Sequence, residues 1–198
     1  VGLAVYDRPY AKISGLNCWE HRMLLPGYTL MALGTQVHVA AWPFARNVSS
    51  RQLMSRAFAA LGACYVIETC ALAQPEDVTE EFQGILKAYN EVPWIQDRLA
   101  EGCAKIIDPA GHVVAEAPVG EESIVTASAS LEKVRNAKGF LVVGGHYSRP
   151  DVVRLLVNGR PLHRVEDMNS PGRALTLSNE DWNPVHDENA VEGTKDPG

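Results

Sequence analysis

Hydrophobic and polar positions change period several times along the chain, and each change marks an expected element. Residues 3–6 and 12–17 are short extended runs, and Asp7-Arg8-Pro9-Tyr10 between them supplies turn chemistry, which predicts a hairpin. Residues 24–33 favour a helix, with Pro26 tolerable in its first turn and Gly34 suited to the position past its end. Residues 36–41 alternate as a strand does. Ser49-x-x-Gln52 has the form of a capping box, and Leu53, Ala57, Ala60 and Leu61 follow at helical spacing until Gly62. The almost unbroken apolar run over 63–73, rich in residues that favour extension, predicts a strand buried on both faces. A helix is expected over 79–90 and a turn over 94–99. Strands over 104–107 and 113–116 are joined by Asp108-Pro109-Ala110-Gly111, a strong hairpin turn, before a strand over 123–127 and a helix over 131–138.

Strands that alternate with helices and mix with hairpins define an α/β fold built in layers. With 198 residues, 46% of them hydrophobic and 21% charged, the chain can bury a sizeable core in one domain. We expect that domain over 1–158. Over 159–198, Pro, Gly, Asn, Asp and Glu replace the apolar positions, which predicts an extended or partly disordered tail. A net charge of -6 with no basic run argues against nucleic acid or an anionic membrane as partner. No apolar stretch approaches the roughly 20 residues that a membrane span needs, and the first residues lack a secretion signature, so the expected location is the cytoplasm.

Four cysteines are unevenly spaced, with no Cys-x-x-Cys pair and no His at ligand spacing, so neither a zinc site nor any other metal is expected. Cys64, Cys70 and Cys103 read as core packing. Cys18 differs, because Gly15-Leu16-Asn17-Cys18-Trp19-Glu20 places it where a strand passes into a helix-like segment. Helix N-terminal N–H groups favour a thiolate and can cradle an oxyanion, so the position suits a nucleophile.

The stretch Val5-Tyr6-Asp7-Arg8-Pro9-Tyr10, Gly15-Leu16-Asn17-Cys18-Trp19-Glu20-His21 and Gln36-Val37-His38-Val39-Ala40-Ala41-Trp42-Pro43 resembles the nitrilase branch of the carbon–nitrogen hydrolase superfamily, whose nucleophile lies in a Cys-Trp-Glu motif. Gly144-Gly145-His146-Tyr147-Ser148-Arg149-Pro150-Asp151-Val152 resembles a second motif of the same branch, in the same order. The resemblance implies a nitrilase-like α-β-β-α sandwich, of which this chain supplies roughly the second half. It implies Cys18 as nucleophile, the backbone N–H of Trp19 as oxyanion donor, and hydrolysis of a small-molecule nitrile to an acid and ammonia without a cofactor. Cyanide hydratases and dihydratases share the motif and stay open as alternatives.

Glu20 either tunes the site or holds its turn. His21 is a candidate for lining the pocket, although simple surface exposure is the plainer expectation. Trp42 and Pro43 end the neighbouring strand, where they shape the pocket or, for Trp42, fill the core. His38 and His112 read as structural or solvated, Lys12 as solvated, and Arg149 as paired with Asp151. The family's general-base glutamate and its lysine belong to an N-terminal half, and Val1 lies 17 residues before Cys18. The expectation is therefore a C-terminal portion whose N-terminal half is missing or separate, which raises a rival reading: an inactive chain that serves assembly. A homo-oligomer, extending to a spiral filament, is also implied by the family.

Overall fold

A computed structural model describes residues 3–42, 48–72, 79–82, 84–85 and 102–157. Among the described residues, six strands form one sheet in chain order, from β1 (Tyr6–Arg8) through β2 (Ala11–Asn17), β3 (Val37–Trp42), β4 (Tyr65–Cys70) and β5 (Lys105–Ile107) to β6 (Val113–Glu116). The central three strands are parallel and the outer pairs antiparallel. Parallel neighbours need crossovers, and helices supply them: α1 (Leu24–Ala32) between β2 and β3, and α2 (Val48–Gly62) between β3 and β4.

Side-chain parity divides the sheet into two faces. Leu16 on β2, Ala40 and Trp42 on β3, Val66 on β4 and Ile107 on β5 pack in one cluster with Leu30 and Met31 of α1 and Phe58 and Ala59 of α2. The helices therefore cover this face. A third helix, α3 (Leu131–Phe140), starts on a Ser130 cap whose Oγ accepts from the Lys133 N–H. Its Lys133 reaches Asp108 at 2.6 Å, and its Lys138 Nζ donates to the Gly62 carbonyl at the end of α2.

Several expectations shift for physical reasons. The first strand lies later than 3–6, because Asp7 and Arg8 pair with Lys12 and Ala11 and leave only Pro9 and Tyr10 to turn. Helix α2 begins at Val48, one residue before the expected cap position Ser49. Strand β4 is shorter than 63–73 and fully buried on one face only, since Val66 and Glu68 are sealed while on the other face Tyr65 is buried but Ile67 is 38% exposed. Residues 123–127 are not a strand; Ile124 is 95% exposed and no described strand pairs with it. Part of the helix expected over 79–90, the turn over 94–99 and the tail over 159–198 lie outside the described residues.

Candidate active site

Because β2, β3 and β4 run parallel, their C-terminal ends lie together, with Asn17 opposite Ala41 and Trp42 opposite Cys70. Cys18 is the first residue past β2 and the first of a short 3-10 helix (Cys18–Arg22). It is half-buried, resting against the core cluster. Its φ of 49° is left-handed, which costs an L-residue other than Gly on the order of 1–3 kcal/mol and persists only where its surroundings hold it.

Two groups hold it. Glu20 reaches back so that its Oε2 accepts the Asn17 N–H at 2.7 Å, the carboxylate half of a capping box. Glu20 is thus engaged in holding the turn, one of the two roles left open for it. His21 is buried, contrary to the expectation of surface exposure, because its ring stacks on Trp42 at 4.9 Å and its Nδ1 lies 2.8 Å from the Cys18 carbonyl oxygen.

That contact opens a chain of buried hydrogen bonds whose direction is determined by elimination. A carbonyl only accepts, so His21 Nδ1 carries a proton. Burial lowers the pKa of His21, opposed by the Cys18 carbonyl and by Glu20, and burial with His21 as neighbour lowers that of His38 to about 3. Both rings are neutral near pH 7, so His21 Nε2 is an acceptor and His38 Nε2, 3.1 Å away, donates to it. His38 Nδ1 is then an acceptor for the Ser14 hydroxyl at 2.8 Å, and Thr35 Oγ1 lies 3.0 Å behind Ser14. Ser14 and His38 are cross-strand partners on the buried face, and His38 stacks on Phe58 with ring centroids 3.7 Å apart. Sequence reasoning treated His38 alone and did not find this chain. The available signal was two polar residues at inward parity in adjacent strands, each of which needs a partner.

The remaining expected residues separate. Trp19 has a 62% exposed side chain, with the Arg22 guanidinium 5.4 Å from its ring centroid. Its N–H lies in the first turn, where helix donors lack an intrahelical acceptor. Trp42 is core: 5% exposed, with its Nε1–H donating to Ser55 Oγ at 3.3 Å. Pro43 lies outside the described residues. In the second motif Arg149 and Asp151 form a two-pronged exposed pair, and Gly144 packs so closely on α1 that an added Cβ would lie 2.6 Å from the Ala32 Cα. Cys64 is sealed in the core with its thiol pushed up to about 12 by burial, Cys70 is half-buried, and the Cys103 thiol donates to Glu116 Oε1. A groove of about 540 Å³ lined by Leu72, Gly102, Cys103 and Ala117 does not include Cys18.

A thiol raised on a left-handed residue at the C-terminal edge of a parallel sheet defines a class, the α/β proteins whose chemistry sits at the sheet's carboxyl ends. The chain belongs to the carbon-nitrogen hydrolase family, whose model matches residues 2–139. Its relatives by sequence place it in the nitrilase branch. It is 44% identical over 170 residues to Nitrilase 2 from an unknown prokaryotic organism, covering 83% of this chain and 49% of the relative. It is 33% identical over 179 residues to an aliphatic nitrilase of Rhodococcus rhodochrous, covering 88% of this chain and 47% of that one. The chain thus spans about half the length of these relatives. Among solved structures, the C. elegans NitFhit protein aligns with a TM-score of 0.60 at 21% identity over 82% of this chain and 35% of that one. Saccharomyces cerevisiae Nit3, a member of branch 10 of the nitrilase superfamily, aligns at 0.56 and 18% over 73% and 46%. The fold is nitrilase-like, and the described sheet with helices on one face is one α-β half of the α-β-β-α sandwich.

Proposed function

We propose that the chain carries the nucleophile of a nitrilase, with Cys18 attacking the carbon of a C≡N bond. A nitrile is a weak electrophile, and a soft thiolate suits it. The sulfur–carbon bond forms as one C–N π pair moves to nitrogen and is protonated, giving a thioimidate; water adds, ammonia leaves, and a second water releases the acid and returns the thiol. Negative charge on the reacting nitrogen or oxygen is met by the Trp19 N–H. Proton transfers fall to the glutamate and lysine that the family resemblance implies.

The observation that carries this reading is the left-handed φ at Cys18, a strained residue held by its neighbours at the sheet's carboxyl edge. The naming of both sequence relatives as nitrilases favours organic nitriles over hydrogen cyanide. The test is ammonia release from aliphatic nitriles, aromatic nitriles and hydrogen cyanide by the 198-residue chain supplied with the half of the domain that carries the glutamate and lysine. We expect turnover of organic nitriles that falls more than about 1000-fold in Cys18→Ala. Turnover of cyanide alone would replace this reading by a cyanide hydratase or dihydratase. Absence of turnover with that half present, or turnover unchanged in Cys18→Ala, would favour the reading of an inactive chain that serves assembly.

A further inference from the structure

We propose that His21 and His38 are positioning residues, a neutral two-imidazole relay that runs from Ser14 to the Cys18 carbonyl and holds the nucleophile's backbone in its left-handed conformation. The proposal deepens the nitrilase reading and rests on it for its catalytic meaning; the relay itself rests on the contact geometry, with both rings kept neutral by their burial.

Four observations converge. Cys18 has φ 49° without being a glycine, so something must oppose its return to ordinary backbone. Its carbonyl oxygen, the group that swings when φ and ψ change, accepts from His21 Nδ1 at 2.8 Å. His21 cannot rotate away, because Trp42 stacks on one side of its ring and its Nε2 is engaged by His38. His38 is itself fixed by Ser14 and by Phe58, on elements belonging to the sheet and to α2. Every donor in this series meets an acceptor in one sense only, so a single pair of tautomers satisfies it: Nδ1–H on His21 and Nε2–H on His38. A simple core histidine needs neither a defined tautomer nor a link to the reactive residue. The arrangement fixes the thiol through the sheet, where a displacement of about 1 Å costs an enzyme on the order of 100-fold in rate.

The tautomers are read on the unmodified 198-residue chain by long-range 1H–15N correlation of histidine side chains at pH 7.5, with His21→Gln and His38→Gln used only to assign signals. We expect a protonated Nδ1 on His21 and a protonated Nε2 on His38; the opposite tautomer on either ring, or averaged signals, would overturn the relay. The second measurement is peptide-resolved alkylation by iodoacetamide, with half-buried Cys70 as internal control for general loosening. In His21→Leu the Cys18 rate should change about 10-fold while that of Cys70 stays within about twofold. His21→Gln, whose amide can turn its NH2 to the Cys18 carbonyl and its oxygen to the His38 Nε2–H, should return Cys18 to within about threefold of wild type. An unchanged Cys18 rate in His21→Leu, or equal changes at Cys18 and Cys70, overturns the positioning role. Expected tautomers in a protein that turns over no nitrile even when supplied with the half carrying the glutamate and lysine support the relay and overturn the hydrolase reading, whereas wrong tautomers in a protein active with that half do the reverse.

Discussion

Cys18 shows how much one residue's setting decides. Its neighbours in sequence mark it as a candidate, but its strain is created by Glu20 behind it and by His21 beside it. Replacing Glu20 by Ala removes the acceptor from the Asn17 N–H, and loss of such a cap should destabilise the fold by about 0.5–2 kcal/mol, read from the midpoint of urea unfolding. His38 carries a pH dependence of definite sign. Its folded pKa of about 3 lies below the ordinary 6.5, so between these values the unfolded chain binds a proton that the folded chain refuses. Stability is therefore intact above about pH 6.5 and lost progressively as the pH falls toward 3. Urea midpoints at pH 7.5, 5.5 and 4.5 should decline in that order, and the part of the decline due to this ring should vanish in His38→Gln. The end of β2 and Cys18 just past it were legible in the sequence because they depend on local pattern. The role of His21 was not, since it depends on which residue of the next strand, seventeen positions on, faces it.

At the scale of elements, the sheet is tied together by charge as well as by apolar packing. Glu68 of β4, Lys105 of β5 and Glu116 of β6 lie in register on the helix-covered face, and Arg51 of α2 meets Glu68 at 2.9 Å, with both side chains almost wholly buried. That contact is not aligned as a hydrogen bond, while the other guanidinium nitrogens donate to the carbonyls of Gly102 and Cys103 just before β5. Arg51 thus joins α2 to β4 and to the start of β5. Arg51→Met leaves Glu68 as an uncompensated buried carboxylate, and the expected loss is about 3–5 kcal/mol. Adding Glu68→Leu should recover most of it, because two apolar groups then replace a desolvated pair; a double variant no better than the single one would contradict this account. The apolar run containing Glu68 announced a strand; that a charged residue inside it needs a partner emerges only with its burial in β4. Which residue answers was not readable, because Arg51 lies on a helix whose polar and apolar faces are defined only once it packs.

For the molecule as a whole, the instructive disagreement is the second face of the sheet. The run over 63–73 reads as a strand buried on both sides, yet on the face away from α1 and α2 β4 buries only Tyr65 and leaves Ile67 38% exposed. The opposite face carries the register row Gly15, Val39, Ile67, Ile106 and Ala115, small or apolar across five strands and only partly covered. Such a composition belongs to a sheet that meets another sheet, which is what the α-β-β-α architecture requires at a spacing of about 10 Å. The sequence pattern was that of a strand buried on both faces, as the sandwich implied by the family resemblance would make it, and that burial is only partly met within the described residues. This gives a test on the 198-residue chain. Ile67→Lys should lower the fluorescence of a bound hydrophobic dye such as ANS while shifting the unfolding free energy by less than about 1 kcal/mol, as for an exposed position. A loss of more than about 3 kcal/mol would mean that Ile67 is already packed beneath other residues of the chain, and the assignment of this face to sheet-on-sheet packing would be wrong.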